Sequence, residues 1–459
     1  IGDWRYDDFF HHGAFFLPHN FNFFASFGRP RPEPTTDRRG NRFDHGTPDG
    51  YQFFLDIGPV STLDSEYLKG DVEFWTTVLQ HPNDDAFWRA MDITPHLRNV
   101  SPAVLTVGGL FDAEDLYGPL AIYRSAELLN PGSYNKLVMG PWSHGGWHRG
   151  DGDRLGNVSF GAKNSHWFQD EVEWKFFDHF LNDGPAPDLA EATIFNTGAN
   201  TWRFFDQWPP ADRQIRSLYF TADEGLSWSA PAGAESGADS FVSDPNKPVP
   251  YTETITTGMT REYMTDDQRF AGRRPDVLVY QTEPLEEDLT LAGPILADLW
   301  VSTTGQDADW VVKLIDVFPA DFPENDFKKD GMRMGGYQMM VRSEVIRGRF
   351  RDDYANPSPF TPNTPARVDL PLQDVLHTFK KGHRVMVQVQ STWFPLVDRN
   401  PQTWVDNIFF ASPEDFQAQT HTVHRAPGMA SRLEVGVVAF PSDEADRAAA
   451  EAKAAAKQE

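Results

Sequence analysis

The chain has 459 residues, with 41 basic and 67 acidic side chains and a formal net charge of −26. That balance argues against a nucleic-acid or anionic-membrane surface and for a soluble protein that tolerates cationic ligands. Cysteine is absent, which excludes disulfides and thiolate chemistry, and no apolar run approaches the ~20 residues of a membrane-spanning helix.

Aromatic residues make up 14% of the chain, including 36 Phe and 14 Trp, enough for two or three cored domains. The opening stretch, IGDWRYDDFF, reads as mid-domain sequence and not as a signal peptide. Residues 1–100 are rich in aromatic patches (21–24, 51–55, 73–75), with a Pro/Arg/Gly-rich loop at 28–50. Helical patterns at 64–69 and 84–91 fit a helical cap inserted in an α/β domain.

The most informative stretch is 102–144, PAVLTVGGLFDAEDLYGPLAIYRSAELLNPGSYNKLVMGPWSH. A β-branched run at 103–107, closed by Gly108-Gly109, reads as a buried parallel strand. An acidic loop follows (Asp112, Ala113, Glu114, Asp115), then a helical pattern at 120–129 ended by Asn130-Pro131-Gly132. A second short strand, 137–139, runs into Gly-Pro-Trp-Ser-His. Open α/β sheets keep their chemistry outside the carboxyl ends of the strands. Asp112 and His144 thus stand at the two strand ends where an α/β-hydrolase keeps its acid and its base, in the order Ser…Asp…His. The acid would orient the imidazole, and the imidazole would take a proton from a serine.

The motifs GLFDAEDLYG and LVMGPWSHGGW resemble the cocaine-esterase and X-Pro dipeptidyl-peptidase superfamily of serine hydrolases (CocE/NonD type). Within it, the likeness is greatest to the α-amino-acid ester hydrolases and the glutaryl-7-aminocephalosporanic acid acylase-like proteins. The resemblance spans nearly the whole chain. It implies the C-terminal part of an α/β-hydrolase domain with an inserted helical cap (residues 1–100, then 101–189 carrying triad acid Asp112 and base His144). A jelly-roll β-sandwich would follow (190–441). It also implies that three carboxylates, Asp8, Glu114 and Asp115, bind a substrate's α-ammonium group. Crowded carboxylates raise one another's pKa, and a bound ammonium relieves that strain. As helix-starting acids, Glu114 and Asp115 have an ordinary structural explanation too.

Beyond His144, the Gly-rich loop to 156 reads as irregular, and 164–182 reads as an amphipathic helix with Trp167, Trp174, Phe177 and Leu181 on one stripe. From about 190, short alternating runs such as 192–196, 218–221, 299–302, 311–317 and 384–390 are separated by Gly, Pro and Asp, the texture of an all-β sandwich. The tail, 442–459, holds no large apolar residue and reads as solvated. His11-His12, His144-x3-His148 and the Asp307/Asp309 pair lack the geometry of zinc or calcium sites, so neither metal nor cofactor is expected.

No Gly-x-Ser-x-Gly elbow occurs in the 459 residues. The expected nucleophile therefore comes from sequence upstream of this chain, and the apolar edge of the incomplete sheet should be open or covered by another chain. The expected activity is hydrolysis or transfer of the acyl group of α-amino-acid esters or amides, β-lactam side chains included, through an acyl-enzyme. The alternatives are an X-prolyl dipeptidyl aminopeptidase and a catalytically inactive module binding through its jelly roll. The implied partners are a small ester or amide or a short peptide and the upstream portion carrying the serine, with a homo-oligomer allowed. The resemblance implies a periplasmic or secreted location.

Overall fold

The computed structural model describes residues 2–31, 33–34, 43–232 and 237–440; the tail at 442–459 lies outside them. The informative stretch forms the expected unit. Strand β1 (Val104–Gly109), helix α1 (Tyr117–Leu129) and strand β2 (Asn135–Gly140) follow one another, and the strands pair in parallel. Both are longer than their apolar runs, because the parallel ladder continues through the glycines at their ends. The helix stops where Gly132 takes a left-handed φ of 83°, a conformation that costs glycine little.

Two further strands complete this sheet. β3 (Ala192–Asn196) lies parallel to β2, and β4 (Thr201–Phe205) lies antiparallel to β3. Residues 192–196 were expected in the sandwich, so the boundary drawn at 190 is corrected: the α/β sheet runs on to Phe205. The physical reason is that every residue of β3 is buried. Full burial is what a parallel strand covered on both faces shows, whereas the mixed run ATIFN reads as a sandwich strand. In the sheet order β1-β2-β3-β4, β1 is an edge with no neighbour on its outer side among the described residues.

The helix expected at 164–182 is present, as two α segments joined by a π turn at Gln169–Glu173. Of its apolar stripe, Trp167 stacks on Trp202 and the rest points outward. Trp174 and Leu181 are 65% and 73% exposed, and Phe177 and Phe180 are also exposed. Phe168, Val172 and Phe176 are its buried apolar residues.

The N-terminal hundred residues carry a short hairpin (Phe10–His11 with Ala14–Phe15) and helices at Leu17–Ser26, Gly50–Asp56 and Glu73–Gln80. Asp49 caps the second of these by accepting from the Gln52 amide. Phe9, Phe21, Phe54, Trp75 and Trp88 form an aromatic core beneath them, with Phe394 and Phe409 from the far end of the chain. Each such ring contributes ~2–3 kcal/mol by leaving water.

Residues 214–438 build a large, almost wholly antiparallel β domain whose sheet has 12 strands among the described residues. Leu299, Trp310, Leu314, Val387 and Val435 lie in its core. A second core joins this domain to the α/β unit. It holds Leu110, Phe111 and Leu120 together with Tyr263, Met339, Val345 and Leu396. The β domain therefore packs directly under the acidic loop.

Candidate active site

The backbone places the two strand-end loops side by side. Beyond the ladder, the Leu110 N–H donates to the Gly140 carbonyl at 2.8 Å, and the Phe111 N–H to the Trp142 carbonyl at 3.0 Å. This crossing demands glycine: a Cβ on Gly109 would lie 2.2 Å from the Trp142 carbonyl oxygen.

Asp112 emerges from this crossing buried. Its Oδ1 accepts from the amides of Glu114 (2.9 Å) and Asp115 (3.0 Å), which locks the carboxylate and leaves Oδ2 aimed at His144. The His144 Nδ1 lies 3.2 Å from Oδ2 and 3.3 Å from Oδ1. A carboxylate can only accept, so Nδ1 carries the proton and Nε2 is the free base of the neutral ring. The side chain is 35% exposed, and Nε2 has no hydrogen-bond partner among the described residues.

Two more carboxylates converge on the same nitrogen. Asp115 Oδ2 is 3.5 Å and Glu114 Oε2 3.7 Å from Nδ1. The hydrogen bond to Asp112 raises the His144 pKa to about 9; burial opposes it, and the charges of Asp112, Glu114 and Asp115 add to it. Burial pushes the Asp115 carboxyl up to about 6, reinforced by the negative charges of Asp8 and Asp112. The group thus behaves as a crowded, proton-holding acidic site.

Asp8 joins through its backbone. Its N–H donates to the Glu114 carbonyl at 3.0 Å, and its φ of 69° turns the chain sharply there. Its Oδ1 is held by His19 Nε2 at 2.5 Å. Burial lowers the His19 pKa, but the hydrogen bond to Asp8 and the charges of Asp8, Glu114 and Asp115 outweigh this and raise it. The neighbouring Asp7 is fully buried, and burial and Asp115 push its carboxyl well above the usual range. Sequence reasoning singled out Asp8 from the Asp7-Asp8 doublet and missed Asp7 and His19. The doublet itself was the signal for Asp7, whereas nothing in the local sequence marks His19. Glu114 and His19 also line an open cleft of about 510 Å³ with Asn22, Phe23, Phe43 and Met259.

The residues weighed for metals have other partners. His148 faces Glu173, His11 faces Glu344, and His12 faces Tyr354. Asp307 and Asp309 bind Arg349 and Arg347.

A mixed α/β chain with a buried acid and a histidine at adjacent parallel strand ends, joined to a large β domain, has the architecture of known hydrolases. Residues 1–146 match the X-Pro dipeptidyl-peptidase (S15 family) model, and residues 168–434 match the X-Pro dipeptidyl-peptidase C-terminal non-catalytic domain. The chain belongs to this X-Pro dipeptidyl-peptidase and CocE/NonD superfamily of serine hydrolases. It is 27% identical over 396 residues to the cocaine esterase of Rhodococcus sp. (strain MB1 Bresler), covering 83% of this chain and 64% of that protein. An aminopeptidase from the marine sediment archaeon Thaumarchaeota archaeon is 38% identical, with a TM-score of 0.89 over 96% of this chain and 71% of its own. An α-amino acid ester hydrolase is 36% identical, with a TM-score of 0.88 over 95% and 71%. The chain thus spans 64% of the length of the esterase and 71% of each of the two solved chains.

Proposed function

We propose that this chain supplies the acid, the base and the amine-binding carboxylates of a serine hydrolase acting on esters or amides of α-amino acids, short peptides included. The observation that carries this is the convergence of Asp112, Glu114 and Asp115 within 3.2, 3.7 and 3.5 Å of His144 Nδ1. Asp112 holds the ring with Nε2 free, so Nε2 takes the proton of a serine as its oxygen attacks the acyl carbon. The proton then passes to the departing alcohol or amine, leaving an acyl-enzyme. Water repeats the sequence to release the acid, and a second alcohol or amine in its place completes a transfer. Glu114 and Asp115, beside Asp8, hold the substrate's α-ammonium, and the acyl carbon, two bonds from that nitrogen, is the atom the serine attacks.

The serine comes, in this reading, from polypeptide outside the 459 residues that pairs with the open edge of β1 and covers the outward stripe of Trp174, Phe177 and Leu181. The helices of the first hundred residues act as a cap over the strand ends, and the β domain is a jelly roll. Likeness to both an α-amino acid ester hydrolase and an aminopeptidase supports the amine preference, since both of those names specify a substrate with a free amine.

The test is Asp115→Asn in the enzyme assembled with its serine-bearing polypeptide. Substrates with a free α-amine should lose ~2–4 kcal/mol in kcat/KM, because a desolvated ammonium loses a partner. Matched substrates without the amine should be nearly unaffected. Equal losses for the two would assign the loop acids to the fold or the triad instead.

A further inference from the structure

Arg342 is an unusual cation. It is buried on the strand β5 (Gln338–Arg347) of the β domain, within the region matched by the family's non-catalytic domain. Its neighbours Arg347 and Arg349 each bind a buried aspartate. Arg342 instead gives Nη1 to a neutral acceptor, the Leu110 carbonyl, at 2.8 Å, and makes no ion pair within 4.0 Å among the described residues. Burial drags its pKa down to about 10, against the charges of Asp374 and Glu344. A buried cation is costly unless its hydrogen bonds matter to the structure around it.

The carbonyl it holds lies two residues before Asp112. The rest of that turn is accounted for by backbone bonds: Leu110 N–H to Gly140, Phe111 N–H to Trp142, Asp112 N–H to Gly109. Arg342 supplies the partner for the outward-turned Leu110 carbonyl, which a buried turn requires.

Side chains two apart on a strand share a face, and Glu344 repeats the pattern on the other half of the site. Its Oε1 lies 2.9 Å from His11 Nδ1, in the hairpin that follows Asp7 and Asp8. The Arg347 N–H adds a bond to the His12 carbonyl at 3.1 Å. One strand therefore contacts both the Asp112 loop and the hairpin that follows Asp7 and Asp8.

We infer that β5 is the positioning platform of the active site, with Arg342 fixing the Asp112 loop and Glu344 fixing the Asp7-Asp8 turn, so that the β domain sets the geometry of the acid–base pair. Both are positioning residues that act through others. The inference rests on reading Asp112 and His144 as the working pair and does not depend on which substrate they serve.

The experiment follows the imidazole titration of His144 by NMR in the histidine-labelled 459-residue chain, together with binding of phenylalaninamide and of 3-phenylpropanamide. Arg342→Met should lower the His144 midpoint by about half a pH unit or more as the Asp112 contact loosens, and Arg342→Lys, which keeps a cationic donor, should restore most of it. Glu344→Gln should weaken phenylalaninamide several-fold and spare 3-phenylpropanamide. The control is Lys313→Met, which removes a buried cation from the neighbouring strand, where its ammonium meets Gln268; it should move neither readout.

A folded Arg342→Met chain with an unchanged His144 midpoint overturns the inference. So does a fall that Lys fails to restore, or one matched by Lys313→Met. Should Arg342→Met not fold, Arg342→Gln is judged by the same criterion. Failure of both to fold overturns it too, by making Arg342 a determinant of folding and not of the site. If phenylalaninamide does not bind the unaltered chain, the amine-binding proposal fails while the His144 titration still decides the role of Arg342.

Discussion

Replacing Asp112 by Asn removes a charge while keeping shape. The Asn oxygen can still accept from the Glu114 and Asp115 amides, but the group facing His144 Nδ1 at 3.2 Å is then an uncharged amide. An opposite charge at this range shifts a pKa by ~1–3 units. The His144 ring is 35% exposed, so screening places the effect at the low end, about one unit or ~1.4 kcal/mol. Glu114 and Asp115 remain 3.7 and 3.5 Å away and hold part of the elevation. The midpoint should thus fall from about 9 by about one unit in an NMR titration of the imidazole. In the enzyme assembled with its serine, the wrong tautomer should cost kcat a factor on the order of 10³–10⁴. An unmoved midpoint would refute this reasoning. A larger fall for Asp115→Asn than for Asp112→Asn would do so equally, by making Asp115 the principal partner.

Two further outcomes follow from the same geometry. His144 and Asp115 both have folded pKa values raised above their ordinary ones, to about 9 and about 6. The folded chain therefore holds more protons than the unfolded one, and these groups' stabilising contributions fall as pH rises. The Asp115 contribution is lost between its ordinary value near 4 and about 6, and that of His144 between about 6.5 and 9. Discounted for exposure, the His144 part amounts to ~1–2 kcal/mol. Denaturant titrations across that range should lose this slope in His144→Gln, and an identical slope in that variant would contradict it. Gly109→Ala forces a Cβ against the Trp142 carbonyl oxygen at 2.2 Å and should destabilise the chain by ~1–3 kcal/mol. It should also broaden the His144 resonance, and a neutral effect on both would show that the crossing is not tight.

The meeting of Asp112 and His144 was legible because its signals are local. Two apolar runs ending in glycine, a helix between them, and an acid and a histidine at the ends define one β-α-β unit, and parallel pairing converts sequence position into spatial adjacency. Its immediate extension was not legible. Residues 192–196 (ATIFN) carry Thr193 and Asn196 among three apolar side chains, a mixed run that suits a sandwich or a parallel sheet, and only the partner strand β2 decides between them. The stripe on 164–182 had the right period, but which face is buried depends on what packs there, and Trp174 and Leu181 face outward. Asp8 rested on the family resemblance, which carries no sign that the sharp turn there sends Asp7 inward and Asp8 to His19. Arg342 and Glu344 lie more than 200 residues from the segments they hold. A lone basic or acidic residue in a strand carries no local sign of such a contact.

The central claim is that the carboxylates beside His144 form an amine site coupled to the catalytic base. It is tested most directly on the 459-residue chain itself, by titrating His144 in the presence of phenylalaninamide or of 3-phenylpropanamide. A bound ammonium neutralises part of the field that raises the imidazole pKa. The account predicts that phenylalaninamide lowers the His144 midpoint from about 9 and binds at least about tenfold more tightly than its amine-free counterpart, ~1.4 kcal/mol. Equal binding of the two compounds, with the His144 midpoint unmoved by either, would contradict it.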